Sequence, residues 1–328
     1  MPSDFDSLDM VDGFDVKTRI DEFDIYGPPS VGWEIDYSGG GTNDLMYDLT
    51  NTGGVVVGAT ASGFLLYRDI AGNWSQLISG IWCGGELPTV RGLNGEFYVA
   101  HDSGGAGGQG LVSRVTSGSA NLEQGTNLLQ GLSITDDGTD LYWFHQRTSP
   151  SSDIGATLTG GGWSWGTVNN KAGSQQISTE AFSGGFLSTF YIWSGNAALR
   201  TRVSLTNGGS GWPSSYQFAV VSGIGYAPYS GALFRIQSRG SGWRPIDLSG
   251  GSQTAAIMAH NGHLYYSNTK TSGGTPVFEI LDHDIAAGTT VLSHTEDVTG
   301  RNTSTFYSTK TATAIFMCAY SFVFRKDL

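Results

Sequence analysis

Short apolar and aromatic runs recur along the chain, each followed by a polar gap, another strand-like run and a glycine-rich turn. Runs this short without a helical period indicate β-strands. Seven of them occupy residues 55–57, 96–99, 141–144, 187–191, 224–226, 264–266 and 305–307. Measured at Val56, Phe97, Tyr142, Ser188, Gly225, Leu264 and Thr305, they lie 41, 45, 46, 37, 39 and 41 residues apart. The chain therefore repeats one small β-unit.

A strand-rich repeat of this length is typical of a β-propeller, in which small antiparallel sheets are arranged radially as blades. One repeat divides completely into strands at 131–135, 141–145 and 154–159 and a fourth strand that begins near Trp163. We therefore predict an all-β fold, a single β-propeller of about seven four-stranded blades. The repeat alone does not determine a function, because propellers serve many functions.

Two segments precede the first repeat. Residues 33–37 alternate between apolar and polar side chains, and we predict that residues 32–37 form a strand that completes the sheet of the last blade. Closing the ring in this way would remove an open sheet edge. Gly27, Pro28 and Pro29 mark a break before this strand. The chain thus divides into an extended N-terminal arm, residues 1–30, and a propeller, residues 31–328.

The arm mixes acidic and apolar residues. Up to Ile25 it carries eight acids against Lys17 and Arg19, a net charge of −6 out of −12 for the whole chain. Its apolar residues are too many for a solvated tail, so we expect it to dock on its own propeller, a neighbouring copy or another protein. The docking candidates are Phe5, Leu8, Met10, Val11, Phe14, Ile20 and Phe23. An EF-hand loop starting at Asp4 does not fit, because Leu8 occupies a ligand position and Asp9 the glycine position.

Composition narrows the classes of partner. Five Lys and a net charge of −12 without any basic stripe argue against binding nucleic acid. No apolar stretch is long enough for a membrane span, and the first residues lack the basic and apolar regions of a signal peptide. We therefore expect no nucleic acid and no membrane insertion.

Cys83 and Cys318 are the only cysteines, and both lie in apolar strand contexts. We interpret them as buried, reduced side chains that pack as small hydrophobic groups. A disulfide that joins the first and last blades is the alternative, which the sequence leaves open.

A Trp follows a Gly, directly or after one residue, at several turns. These tryptophans are Trp74, Trp163, Trp212 and Trp243. The favoured interpretation is packing between blades, and the alternative is an aromatic platform for a glycan. No charged residue recurs at a fixed offset from them, as a repeated sugar pocket would require.

Residues 151–158, Ser-Ser-Asp-Ile-Gly-Ala-Thr-Leu, resemble the Asp-box of sialidase-type propellers. Leu158 replaces the usual aromatic residue, the motif occurs once, and it opens the third strand of its repeat instead of following it. Residues 234–236 resemble part of the arginine motif of that family. The resemblance implies a glycoside hydrolase with an arginine cluster, a Tyr–Glu pair and an acidic Asp, a set that the sequence does not assemble.

His260 and His263 flank a turn and are the remaining candidates for chemistry, together with residues 282–284. Facing histidines can bind a metal, but Asn261 and Gly262 are a hairpin signal, and histidines at hairpin ends are usually solvated. We expect no catalytic residues, no metal and no cofactor.

The general character of the chain resembles virion components of phages, in which propellers occur in tails and appendages. The resemblance lies in the distinct N-terminal arm, the turns rich in Gly, Ser and Thr, the scarcity of Lys and the absence of a visible signal peptide. It implies a structural or adhesion protein of the virion, not an enzyme, that binds other virion proteins through residues 1–30. Within a symmetric assembly, the propeller would then face a protein or a host-surface glycan. The alternatives are an extracellular glycan-binding lectin propeller and a sialidase-like glycoside hydrolase.

Overall fold

The computed structural model describes much of the chain after the arm. The described residues are 32–39, 46–60, 62–79, 89–102, 109–116, 119–129, 131–136, 140–146, 153–159, 162–168, 179–182, 185–188, 192–194, 201–203, 217–229, 232–237, 243–248, 256–300, 307–319 and 321–328. Within these ranges all regular structure is β-strand, and no helix is long and apolar enough to cross a membrane. The predicted docking residues of the arm lie outside the described residues.

Twenty-eight strands form seven four-stranded sheets in the described part of the chain. The first strand, β1 (Glu34–Ser38), belongs to the last sheet. The next twelve strands form three sheets: β2 (Met46–Thr52), β3 (Val55–Thr60), β4 (Leu65–Arg68), β5 (Trp74–Ile78), β6 (Thr89–Leu93), β7 (Glu96–Asp102), β8 (Gln109–Thr116), β9 (Ser119–Leu129), β10 (Gly131–Asp136), β11 (Leu141–Gln146), β12 (Asp153–Thr159) and β13 (Gly162–Val168). The next three contain β14 (Thr179–Phe182), β15 (Gly185–Ser188), β16 (Ile192–Ser194), β17 (Thr201–Val203), β18 (Ala219–Val221), β19 (Ile224–Tyr229), β20 (Ala232–Ile236), β21 (Arg244–Asp247), β22 (Ile257–His260), β23 (His263–Ser272), β24 (Thr275–Asp284) and β25 (Thr289–Asp297). The last strands are β26 (Tyr307–Lys310), β27 (Ala314–Ala319) and β28 (Phe322–Asp327).

Strands that follow one another in sequence are antiparallel neighbours within each sheet. The predicted division of residues 131–165 into four strands is confirmed by β10 to β13. Where they are described, six of the seven recurring apolar runs lie in the second strand of a sheet. The seventh, at 305–307, was wrongly aligned with them. Tyr307 begins β26, a first strand, and the corresponding second strand is β27.

The N-terminal strand joins the C-terminal ones. β1 pairs with β28, with Glu34 opposite Arg325 and Ile35 opposite Phe324, and a register shift follows before Tyr37. The order of this terminal sheet is β1-β28-β27-β26. The predicted pairing of residues 32–37 with the last strands is therefore confirmed, and it gives the sheet both ends of the described chain.

Among the described residues, most apolar clusters lie between neighbouring sheets, and the cluster of Phe218, Ala227 and Ile236 lies within the β18–β21 sheet. Phe278 of β24 stacks on Phe324 of β28 with ring centroids 5.0 Å apart. Val57 of the β2–β5 sheet belongs to the same cluster as Val99 of the β6–β9 sheet. Burying such a side chain contributes about 1.5–3 kcal/mol. The sheets that share such a cluster therefore stabilise each other.

Three of the described turns between first and second strands share one backbone geometry. Asn94, Ser222 and Asn261 have φ of 53°, 50° and 46°, and a glycine with positive φ follows each of them. Two successive residues with positive φ are characteristic of the type I′ hairpin. The Asn261–Gly262 hairpin signal in the sequence is thus confirmed.

Candidate functional site

The candidate site is the junction of β1, the first described strand, with the sheets on either side of it. Asp36 on β1 accepts hydrogen bonds from Nε and Nη2 of Arg68, both at 2.7 Å, and from Nε1 of Trp74 at 2.6 Å. The side chains of Asp36 and Arg68 are only 6% and 13% exposed. The Arg68 guanidinium also lies 5.2 Å from the centre of the Phe316 ring. This bidentate pair attaches β1 to the β2–β5 sheet on one side.

The opposite side of the junction is held by Trp33. Its indole nitrogen donates a hydrogen bond of 3.1 Å to Ser293 of β25, and its ring meets Tyr265 edge-on at 5.8 Å. Trp33 is buried in the cluster between the β22–β25 sheet and the terminal sheet. The strand that directly follows the arm is therefore fixed to the sheets on both sides, as well as to β28.

Two of the four predicted glycan-platform tryptophans have described side chains, and both are in packing positions. Trp74 begins β5, is half-buried and packs on Tyr37 with ring centroids 5.5 Å apart. Trp243 directly precedes β21 and lies 6.0 Å from Phe218. Trp163 lies in β13, where only the backbone is described, and Trp212 is outside the described residues. The rings of Trp74 and Trp243 thus fit the packing interpretation, while glycan binding remains a prediction.

A second polar feature connects the first strands of neighbouring sheets. On β2, Asp48 accepts the backbone N–H of Val90 at 2.7 Å, and Thr50 accepts that of Gly92 at 2.9 Å. Both bonds join residues 42 positions apart, which is one repeat.

Gln217, which precedes β18, makes the counterpart contacts to the β22–β25 sheet and the terminal sheet. Its Oε1 accepts the N–H groups of Ile257 at 3.2 Å and Ser308 at 2.9 Å, and its Nε2 donates to the carbonyl of Ser308 at 2.8 Å. Ser308 Oγ is within hydrogen-bonding distance, 2.9 Å, of the Ile257 carbonyl. One buried amide thereby connects three successive sheets. The sequence signal for these bonds is weak, because the partners about one repeat away, Val90, Gly92 and Ile257, contribute backbone N–H groups and not polar side chains.

Asp48 is the most perturbed carboxyl group among the described residues. It is 3% exposed, and this burial raises its pKa from 3.8 to about 7, although Arg91 and the N–H groups of Val90 and Leu49 act in the opposite direction. Each of its two carboxyl oxygens accepts a hydrogen bond from a backbone N–H group, one from Leu49 and one from Val90.

The structure brings His260 and His263 opposite each other across their hairpin. His263 Nδ1 lies 2.7 Å from Asp282 Oδ1, and the ring stacks on Tyr265. Desolvation, followed by the charges of Lys310 and His263, lowers the pKa of His260. In the ranges that the structure describes, no group of three or more His, Cys, Asp or Glu residues is arranged to hold a metal ion.

The other residues singled out in the sequence, the Asp-box-like motif and the two cysteines, lie either in strands or outside the described residues. Asp153 to Leu158 of the Asp-box-like motif lie in β12, between β11 and β13, and so in a third strand, as the sequence predicts. Cys318 is a free, buried thiol whose Sγ lies 3.7 Å from the carbonyl of Met46, and burial raises its pKa. The reduced state expected of Cys318 is therefore present, whereas Cys83 is outside the described residues.

The comparisons with known proteins concern the fold. No known protein family and no curated protein matches the sequence. Among solved structures, the AfRom2 CNH domain is 10% identical with a TM-score of 0.55 and covers 90% of this chain and 99% of that one. Saccharomyces cerevisiae Sqt1 is 11% identical with a TM-score of 0.52, covering 88% and 83%. A puromycin hydrolase S511A mutant complexed with PGG is 12% identical with a TM-score of 0.53, and this chain covers 52% of its length while 89% of this chain is covered.

At these identities the likeness shows the fold alone. It supports a general resemblance to β-propellers, in agreement with the all-β architecture of small antiparallel sheets. The predicted propeller class is confirmed at this level. These three likenesses carry no link to virion proteins or to sialidases.

Proposed function

We propose that the protein is a non-enzymatic β-propeller of seven blades that acts as a structural or adhesion component of a virion, attached to its neighbours through residues 1–30. The ring is supported by the order of the sheets. The first strand of each lies beside the first strand of the next, and β26 lies beside β2. The pairing of β1 with β28 supports closure of residues 31–328 into one domain.

The observation that carries the attachment role is the bracing of β1. Asp36 and Trp33 fix this strand to the sheets on its two sides, and β28 pairs along it. If a partner binds the arm and pulls on it, the force would therefore be resisted by the β2–β5, β22–β25 and terminal sheets together, and not by β1 alone. Residues 1–30 contain both acidic and apolar side chains and precede this firmly held strand. Such a segment is suited to anchor the protein to a partner.

The structural contacts of the buried polar side chains support a role without catalysis. Asp48, Gln217 and Ser308 hold neighbouring sheets together. The Asp36–Arg68 pair holds β1. Groups committed to such contacts are not free to act on a substrate.

The test of this function removes residues 1–30 and leaves Trp33 and β1 in place. In host cells that produce the particle, the shortened protein should fold normally but be lost from purified particles. The matched control is the full chain with Lys17→Ala, which keeps every apolar residue of the arm and should be incorporated normally. Full incorporation of the shortened protein would contradict the anchoring role.

A glycan array with the same shortened protein separates the proposal from its rival. If the propeller contacts a host-surface glycan, the shortened protein should still bind the array, because the blades are intact. An extracellular lectin would bind the array equally well, yet the full chain would never be found in particles. That second result would reject the virion role and favour the lectin.

A further inference from the structure

The outer strand of the β22–β25 sheet has an apolar edge. β25 is the last strand of this sheet, and within the described ranges no strand pairs with its outer side. Val291 and Leu292 on this strand are 60% and 57% exposed. An open edge with exposed apolar residues is a template on which a further strand can pair.

The same edge lies beside the point where the N-terminal chain enters the body. Leu292 pairs with Leu281 and His294 with Ile280, so Ser293 is an extra residue that forms a bulge in β25. Ser293 accepts the indole hydrogen bond of Trp33. The side chain of Trp33 is therefore bound at the residue next to Leu292, so the chain that precedes Trp33 starts near this edge.

We propose that residues 22–26 of the same chain add to the outer edge of β25 as a further strand. In Glu22-Phe23-Asp24-Ile25-Tyr26, the side chains of Phe23 and Ile25 share one face of an extended strand, and Tyr26 lies on the other. Successive side chains of β25 also point to opposite faces, so the added strand covers Val291 from one face and Leu292 from the other. The open backbone groups of β25 receive partners at the same time.

The connection is long enough for this arrangement. Residues 27–32 separate Tyr26 from Trp33, and six extended residues span about 20 Å. Gly27, Pro28 and Pro29 suit a reversal of the chain at the start of this connection. A tethered strand also pairs at a high effective concentration. This inference goes beyond the proposed function, because it assigns the proximal part of the arm to the propeller and leaves residues 5–14 for a partner.

Amide hydrogen exchange of the full chain tests the docking. Phe23→Ser combined with Ile25→Ser should make the outward-facing amides of residues 289–297 exchange several-fold faster, because the added strand is lost. Amides of β23 should be unchanged, which shows that the sheet itself remains folded. Phe5→Ser combined with Leu8→Ser is the matched control and should leave exchange in β25 as it is.

Three outcomes would overturn the proposal. The first is equal exchange of residues 289–297 in the full chain and in the Phe23/Ile25 variant. The second is loss of protection in the Phe5/Leu8 control. The third is protection that disappears on dilution, since it would mean that the arm of a second copy occupies the edge. The proposed function fails separately, because particle incorporation is measured with residues 1–30 absent and does not depend on exchange in β25.

Discussion

At the scale of the residue, Asp48 links a local contact to the pH dependence of the whole protein. Its two oxygens accept the N–H groups of Leu49 and Val90 at 2.8 and 2.7 Å, while burial raises its pKa from 3.8 to about 7. The native state therefore binds the proton more tightly than the unfolded chain does. The stabilisation from this difference is fully present below about pH 4 and is lost as the pH rises through about 7.

We predict that Asp48→Asn removes this pH dependence, because an amide does not ionise. Relative to the unaltered protein, the variant should gain free energy of unfolding between pH 4 and pH 8, by up to about 4 kcal/mol. Urea unfolding at several pH values measures the difference.

Asp69→Asn is the control for Asp48→Asn, with the opposite sign. Asp69 is partly exposed, and the backbone N–H of Asn73 lowers its pKa. Its contribution is present above the unfolded pKa and is lost as the pH falls, so this variant should become relatively less stable as the pH rises. A difference for Asp48→Asn that stays constant with pH would contradict the prediction.

At the scale of the strand, much of the fold could be predicted from the sequence. Apolar runs bounded by turn residues identify six second strands, and the four strands from β10 to β13 were placed within a few residues. The last repeat was misplaced because β23 and β24 have ten residues each, which is long for this chain, and β25 follows with nine. The next sheet consequently starts later than a constant period predicts.

The contacts at the junction were not predictable in the same way. Asp36 alternates with apolar neighbours on β1, a pattern that also fits a residue facing water. Its partner Arg68 is 32 residues away, and nothing in the sequence joins the two. Gln217 lies 91 residues from Ser308. The bonds of Asp48 and Thr50 to partners 42 residues away, and that of Gln217 to Ile257 40 residues away, do follow from the periodicity once the sheets are aligned.

For β1 we predict that Asp36→Asn destabilises the protein strongly, because it leaves the buried Arg68 guanidinium without a counter-charge. Breaking a buried pair in this way costs about 3–5 kcal/mol. Glu34→Gln on the same strand is the matched control. Its pair with Arg325 is much more exposed, and such pairs contribute about 0–1 kcal/mol. Denaturant midpoints of the two variants give the comparison, and equal losses would contradict a special role for Asp36.

At the scale of the molecule, five of the six apolar clusters among the described residues join two neighbouring sheets, so the sheets that share a cluster stabilise each other. The cluster of Met46 and Leu49 with Phe316 joins the β2–β5 sheet to the terminal sheet. The cluster of Trp33 and Phe278 with Phe324 joins the terminal sheet to the β22–β25 sheet. Because β1 pairs with β28 in the terminal sheet, the two ends of the described chain stabilise each other, and we call this pairing of β1 with β28 the seam.

The seam leads to a prediction for the whole protein. Removing residues 1–38 deletes β1, Trp33 and the partner of Arg68, and it leaves β28 as an open edge. The thermal midpoint of unfolding should fall by many degrees, and the protein should aggregate. Removing residues 1–31 instead should lower the midpoint only slightly, because the described contacts of β1 remain.

A synthetic peptide of residues 32–39 should bind the variant that lacks residues 1–38 and raise its midpoint again. The same peptide with Asp36→Asn should raise it far less. If the variant without β1 unfolds at the same temperature as the full chain, the seam does not stabilise the body.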